Sequence, residues 1–159
     1  MKTSLAAMAV ATALCSSETV AMPDAYLTAS TLSYHSDRTY RLNEEETTLN
    51  QRNGGVGIQI KVTKNWKAIA GTYNNSYHLQ SNYYGVHWKA TDLMWGWSLG
   101  LAGGYVSGYH FGRVFVTPVF SHDWGRFGLD IPIEALKGQV IASLVLRIRW
   151  QKGSQDKWW

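Results

Sequence analysis

Histidine and serine side chains that could perform acyl transfer lie where two predicted strands end. His35 ends an alternating segment, and Ser76 follows two asparagines in the stretch TYNNSYH, Thr72–His78. Histidine is the usual general base near neutral pH and can take the proton from a hydroxyl that attacks an ester. Ser36 adjoins His35 but points to the opposite face of the strand. We therefore expect Ser76 to meet His35 at the outer rim of the fold.

The same residues also have a structural interpretation. Asn74 and Asn75 are typical of a hairpin tip, because asparagine tolerates positive φ, and Ser76 can bond a backbone group of the turn. His35 on its own is compatible with a rim position that performs no chemistry. The sequence leaves both interpretations open.

No cofactor or metal site is predicted. The other histidines show no metal-ligand spacing; they are His78, His87, His110 and His122. A phosphate-binding loop and a nucleophile elbow are absent from the sequence. The formal net charge is +4 and the basic residues are scattered, so no nucleic-acid partner is expected.

The elements that must position these residues are strands with one apolar face. Charged residues make up only 16% of the chain and aromatic residues 13%, with eight Trp and nine Tyr. In the segment WGWSLGLAGGY, one face carries large side chains, from Trp95 to Tyr105. The other face carries small residues: Gly96, Ser98, Gly100, Ala102 and Gly104. Apolar faces that end in aromatic residues, opposite polar or small faces, are typical of transmembrane barrels.

Eight strands are predicted, which is the smallest common number for such a barrel. They cover 26–35, 54–63, 66–75, 78–90, 94–106, 113–123, 125–132 and 139–150. Short and long connections alternate between them. The predicted fold is an all-β, eight-stranded antiparallel transmembrane β-barrel of the outer-membrane type. Its last strand ends at Trp150, as the outer-membrane assembly machinery requires, and a small barrel of this kind is expected to be a monomer.

The chain ends are expected to lie outside the barrel. Met1 and Lys2 precede an apolar stretch, and Ala21 ends a plausible cleavage site, so residues 1–21 are predicted to be a secretory signal. The barrel is assigned to residues 22–150, and residues 151–159 form a polar tail. The single cysteine, Cys15, lies in the signal, so no disulfide is expected in the mature chain.

The stripe of small residues from Gly96 to Gly104 has two interpretations. It can make room for bulky side chains from across the lumen, such as Arg147, Arg149 or Tyr73, since small and large residues often alternate inside barrels. It can instead form a slot for an acyl chain, with Gly96, Ser98, Gly100, Ala102 and Gly104 as its lining. The sequence does not decide between the two.

From about Leu32 to Trp150 the chain resembles the PagP family of outer-membrane lipid A palmitoyltransferases. An aromatic-His pair ends the first strand. An Arg-x-Asn-Glu element and a glycine-rich strand start follow, and later an aromatic-bounded Ser motif, a Gly-x-x-Trp and a strand proline. Here these are Tyr34-His35, Arg41-Leu42-Asn43-Glu44, Gly54-Gly55-Val56-Gly57, Tyr73-Asn74-Asn75-Ser76-Tyr77, Gly85-Val86-His87-Trp88 and Pro118.

The resemblance implies that a palmitoyl chain moves from a phospholipid to lipid A in the outer membrane of a Gram-negative bacterium. The catalytic residues that it implies are His35, Asn75 and Ser76, with Asn75 where the family has aspartate. An amide can orient a histidine but cannot offset its charge. Asp37 and Glu44 are the candidates to supply the missing carboxylate. The alternative function is a non-enzymatic surface barrel that acts through its loops.

Overall fold

The computed structural model describes residues 23–37, 39–42, 45–109, 113–136 and 139–151. The predicted signal, with Cys15, and residues 152–159 of the predicted tail lie outside the described residues. The strands are β1 (Ala25–His35), β2 (Thr39–Leu42), β3 (Glu45–Thr48), β4 (Gly55–Lys61), β5 (Trp66–Asn74), β6 (Gln80–Asp92), β7 (Trp97–Val106), β8 (Arg113–Trp124), β9 (Phe127–Leu136) and β10 (Gln139–Gln151).

Eight of these strands close into an antiparallel barrel in the order β1-β10-β9-β8-β7-β6-β5-β4, and β2 pairs with β3 as a separate hairpin. The predicted eight-stranded all-β barrel is thereby confirmed. We call the end at which β1, β5, β7 and β9 finish the upper rim. Among the described residues, no helix is long and apolar enough to span a membrane.

Three features of the strand prediction were wrong. The predicted strand 125–132 corresponds to β9, which continues to Leu136. The β2–β3 hairpin lies in a link that was predicted to have no strands. The predicted strand 94–106 begins only at Trp97, because Met94–Gly96 forms a 3₁₀ turn with φ of 57° at Trp95 and 76° at Gly96. Positive φ at two successive residues ends the period-2 alternation. Gly96 therefore lies in the lower turn and outside the small-residue face of β7.

The barrel wall is apolar outside and polar inside. Exposed side chains on the outer face include Leu27, Val56, Val86, Leu101, Val116 and Leu146. The lumen buries polar side chains, among them Thr28, Gln59, His87, Thr117, Asp130 and Arg147. A water-soluble barrel has the reverse arrangement, since its apolar side chains pack inside.

A β-bulge in β1 decides which side chains at the upper rim face the lumen. In the lower half of β1, Tyr26 and Thr28 are buried and Leu27 is exposed. The register with β10 shifts between Ser30 and Leu32. An extra residue in one strand inverts the alternation beyond it. As a result, Ser33 and His35 face inward and Tyr34 faces outward.

The lower lumen is filled by a buried ion-pair network. Arg147 has no exposed side-chain surface, and its Nε lies 2.9 Å from Asp130 Oδ2. Its Nη1 lies 2.8 Å from Asp123 Oδ1. Gln59 and Ser121 each donate a hydrogen bond to the Asp130 carboxylate, at 2.8 and 2.6 Å. A buried charge is tolerable only when it is paired and hydrogen-bonded in this way.

The upper wall is unpaired between β8 and β9. Their described ladder runs only from Val119↔Pro132 down to Trp124↔Phe127. Above it, 113–118 of β8 and 133–136 of β9 have no ladder pair with each other among the described residues. Proline lacks an N–H, so Pro118 and Pro132 cannot donate to a ladder here. Thr117 Oγ1 donates across the gap to the Ile133 carbonyl at 2.7 Å. We call this region the lateral gap.

Candidate functional site

The structure brings His35 and Ser76 together at the upper rim. His35 Nε2 lies 3.2 Å from Ser76 Oγ, although 41 positions separate the two residues. His35 ends β1 and is 1% exposed, and Ser76 follows β5 in the hairpin tip and is 7% exposed. A histidine nitrogen at hydrogen-bond distance from a serine hydroxyl is the arrangement from which proton transfer can begin.

A second serine contacts the same histidine nitrogen. Ser33 Oγ lies 3.0 Å from His35 Nε2, and it donates to Asn53 Oδ1 at 2.8 Å. Because the Ser33 hydroxyl donates to Asn53, Ser76 is the serine whose hydroxyl can donate to Nε2 in the tautomer that leaves this nitrogen unprotonated. Sequence analysis missed Ser33 and Asn53, because a bulge and a long link place them.

No carboxylate among the described residues hydrogen-bonds His35. Asp37, one candidate for that role, is exposed in the link after β1. Glu44, the other candidate, and Asn43 of the Arg-x-Asn-Glu element lie outside the described residues. Within the described part of the chain, no cluster of three or more His, Cys, Asp or Glu residues is placed to hold a metal ion.

Asn75 holds the hairpin tip and makes no hydrogen bond with His35 in the described structure. Its Oδ1 accepts the Tyr77 and Leu79 backbone N–H groups at 2.8 and 3.0 Å. Its Nδ2 donates to Ser81 Oγ at 3.0 Å and to the Gly108 carbonyl at 2.8 Å. Asn75 is fully buried, and both ends of its amide are used. The segment Thr72–His78 therefore contains the end of β5 and the hairpin tip that follows it, and that tip carries Ser76 to His35.

A cavity of about 140 Å³ lies in the upper lumen, and Ser76 is among its lining residues. Its walls are mostly apolar, with Ile69, Phe115 and Val145 among them. Gln59 and Asp130 lie at its lower end, and Ser76 lies at its upper end. This volume is close to the ~150 Å³ of a cavity that accepts benzene. The cavity as it stands therefore holds about six carbons of an acyl chain.

Of the five small residues that were predicted to line an acyl slot, only Ala102 lines this cavity. Ser98 and Gly100 lie lower in β7, where a Cβ on Gly100 would approach His87 Nε2 to 3.0 Å. A Cβ on Gly104 would meet the Tyr84 carbonyl at 2.1 Å. Gly96 lies in the lower turn. Other glycines leave room for bulky lumen side chains. The Tyr83 hydroxyl lies against Gly57 and Gly71, and the Arg147 guanidinium lies against Gly128.

Two tyrosines and an ion pair border the cavity beside the lateral gap. Tyr109 and Tyr73 share a hydrogen bond of 3.1 Å between their hydroxyls. Arg113 lies 4.2 Å from the centre of the Tyr109 ring and bonds Glu134 across the gap at 3.1 Å. Burial raises the pKa of the Tyr109 phenol, despite the lowering effects of its Tyr73 hydrogen bond and of Arg113. Tyr109 therefore remains a neutral hydrogen-bonding group.

The fold is similar to the solution NMR structure of a de novo designed protein, TMB2.3, with a TM-score of 0.58. The similarity covers 85% of this chain and 100% of the designed chain, at 9% sequence identity. It therefore concerns the barrel fold alone. No protein-family model matches the chain, and no curated protein matches it.

Proposed function

We propose that this chain is an outer-membrane barrel that transfers an acyl chain from a phospholipid to a hydroxyl of lipid A. The observation that carries the proposal is the 3.2 Å contact between His35 Nε2 and Ser76 Oγ. Both groups are buried, and Ser76 lies at the upper end of an apolar-walled cavity. The apolar outer wall and polar lumen support the membrane setting, because a closed barrel satisfies its backbone without water.

The reaction places His35 as general base. Its Nε2 takes the proton from the acceptor hydroxyl as that oxygen attacks the ester carbonyl of the phospholipid. The bond between the carbonyl carbon and the glycerol oxygen then breaks, and the leaving oxygen takes the proton back from His35. Ser76 turns its O–H from His35 to the ester carbonyl and stabilises the charge that develops there. The buried setting limits competing hydrolysis.

The lateral gap supports a route for the lipid from the bilayer. The cavity accommodates about six carbons, and a palmitoyl chain is much longer. In this proposal the remainder of the chain lies along the gap between β8 and β9. The hydrogen bond from Thr117 to the Ile133 carbonyl must open there, but no ladder bonds of the described residues must break. Pro118 and Pro132 maintain the gap, because neither can donate a ladder hydrogen bond.

A test of the proposal is mass spectrometry of lipid A from a palmitoyltransferase-deficient Gram-negative host that expresses the chain. An added acyl chain is expected with the native chain and not with His35→Ala or Ser76→Ala. Heat-modifiable gel mobility of each variant would show that the barrel is folded in the outer membrane. Unchanged lipid A with a folded native barrel would refute the transfer reaction.

A second candidate is a non-enzymatic surface barrel that acts through its upper links. Two observations favour it. Both the oxygen and the nitrogen of the Asn75 amide are used in hydrogen bonds that hold the hairpin tip, and no carboxylate of the described residues hydrogen-bonds His35. Shortening the link 36–53 would then remove the protein's phenotype and leave lipid A unchanged. Loss of the added acyl chain in His35→Ala would decide against this candidate.

A further inference from the structure

Arg113 is a cation beside the lateral gap whose hydrogen-bonding capacity is only partly used. Its Nη2 bonds Glu134 Oε2 at 3.1 Å, and its guanidinium lies over the Tyr109 ring. Its Nε is buried with no hydrogen-bond partner among the described residues. The two charged side chains are 25% and 33% exposed, so the pair is accessible from the upper rim. Guanidinium N–H groups that have no partner beside an opening can bind an anionic ligand.

Cross-strand pairing places this ion pair at the level of His35. Glu134 of β9 pairs with Ile141 of β10, and Ile141 pairs with His35 of β1. Directly paired residues of an antiparallel sheet face the same side. Two strand spacings separate Glu134 from His35, about 10 Å along the wall. A ligand that reaches from Arg113 to His35 therefore crosses the top of the cavity.

We propose that Arg113 binds the phosphate of a glycerophospholipid that enters through the lateral gap, and that Glu134 holds Arg113 when no lipid is present. A guanidinium binds a phosphate diester through two parallel hydrogen bonds, which a single carboxylate contact at 3.1 Å does not match. The glycerol of such a lipid separates its phosphate from its ester carbonyls by a few bonds. With the phosphate at Arg113, an ester carbonyl lies toward His35.

This inference rests on the proposed function only in taking His35 as the place where the ester reacts. Binding of the phosphate does not need turnover. It is therefore measured with His35→Ala in every chain, so that no transfer can occur. A lipid A test that fails would refute the transfer reaction and would leave this binding measurement unaffected.

The experiment titrates the full chain in dodecyl maltoside micelles with dihexanoyl phosphatidylglycerol below its critical micelle concentration, followed by calorimetry. Dihexanoylglycerol, which has no phosphate, is the matched ligand. The variants are Arg113→Gln, Arg113→Lys, Glu134→Gln and the double change of Arg113→Gln with Glu134→Gln. Arg126→Gln is the control, because Arg126 is exposed in the lower turn. Heat-modifiable mobility verifies that each variant is folded.

We expect Arg113→Gln to weaken phosphatidylglycerol binding by about tenfold or more, and Arg113→Lys to weaken it less. Glu134→Gln should strengthen binding several-fold, because it removes the competing carboxylate. Dihexanoylglycerol should bind all of these chains equally, and Arg126→Gln should match its parent.

Three outcomes would overturn the assignment: equal binding by the Arg113→Gln chain and its parent, weaker binding by the Glu134→Gln chain, or Arg113-dependent binding of dihexanoylglycerol. Soluble glucosamine 1-phosphate tests the acceptor lipid as the alternative source of the phosphate. Arg113-dependent binding of this sugar without binding of phosphatidylglycerol would also overturn the assignment to the donor.

Discussion

The Asn75 amide and the Gly108 carbonyl join two separate links of the upper rim through a hydrogen bond of 2.8 Å. Asn75 lies in the hairpin tip between β5 and β6, and Gly108 follows β7. Gly108 has a φ of +83°, and a Cβ there would lie 2.2 Å from the Gln80 carbonyl, so only glycine fits. The bond needs a side-chain N–H at residue 75, and the carboxylate of an aspartate has none to donate.

Asn75→Asp should therefore destabilise the barrel and should not restore a catalytic triad. The carboxylate would lose the bond to Gly108 and would face its carbonyl oxygen, whereas the Ser81 hydroxyl can reverse and donate to it. We expect the free energy of unfolding to fall by about 1–3 kcal/mol. Urea titration of the chain in lipid vesicles measures it, with Asn82→Asp, an exposed position in β6, as the control. An Asn75→Asp chain as stable as the native one, with faster acyl transfer, would contradict this account.

The number and approximate limits of the barrel strands could be predicted, because alternation of apolar and polar residues is a local signal. In β10, for example, Leu144, Leu146 and Ile148 are exposed, and Arg147 between them is buried. Alternation does not show where one residue is inserted. The bulge after Ser30 and the positive φ at Trp95 depend on neighbouring strands and turns, so both were missed.

The candidate site was predictable only in part. His35 and Ser76 were expected to meet because both end strands at one rim. The contact of Ser33 with His35 arises from the bulge, and Asn53 reaches Ser33 from the end of the long first link. The lateral gap has no signal in the sequence of either strand alone. Pro118 and Pro132, which border it, are 14 positions apart in the chain.

Deletion of Thr31 tests the role of the bulge. Thr31 is the extra residue between Ser30, which pairs with Val145, and Leu32, which pairs with Leu144. Its deletion should therefore leave a regular strand in which residue 35 still faces the lumen. A nitroxide on His35→Cys measures this by its collisions with oxygen, which partitions into lipid, and with a polar nickel complex. We expect the Thr31 deletion to leave the collision ratio unchanged and, in the chain that keeps His35, to preserve acyl transfer. Deletion of Asp37, beyond the strand, is the control, and increased oxygen collisions for the Thr31 deletion alone would refute this account of the bulge.

Ser76 and Ser33 should differ in their effect on transfer, although both contact His35 Nε2. Ser76 lines the cavity, and in the proposed reaction its O–H turns from His35 to the ester carbonyl. Ser33 donates its proton to Asn53. We expect Ser76→Ala to lower the transfer rate about 100-fold or more, and Ser33→Ala to lower it less than about tenfold. Transfer of a radiolabelled acyl chain in detergent micelles measures both rates. Equal losses would show that the Ser33 hydroxyl matters as much as that of Ser76, in spite of its bond to Asn53.

Asp130→Asn tests the buried network below the cavity. The change leaves Arg147, which has no exposed side-chain surface, with Asp123 as its remaining ion-pair partner among the described residues. Removal of one partner from a buried ion pair costs about 3–5 kcal/mol, because the other charge stays buried. Urea unfolding in vesicles should show this loss, and Asp92→Asn, at an exposed pair with Lys89, should lose less than about 1 kcal/mol. The double variant Asp130→Asn with Arg147→Met should have a higher free energy of unfolding than Asp130→Asn alone, because Arg147→Met removes the uncompensated buried charge. A double variant less stable than Asp130→Asn alone would show that Arg147 contributes chiefly through packing.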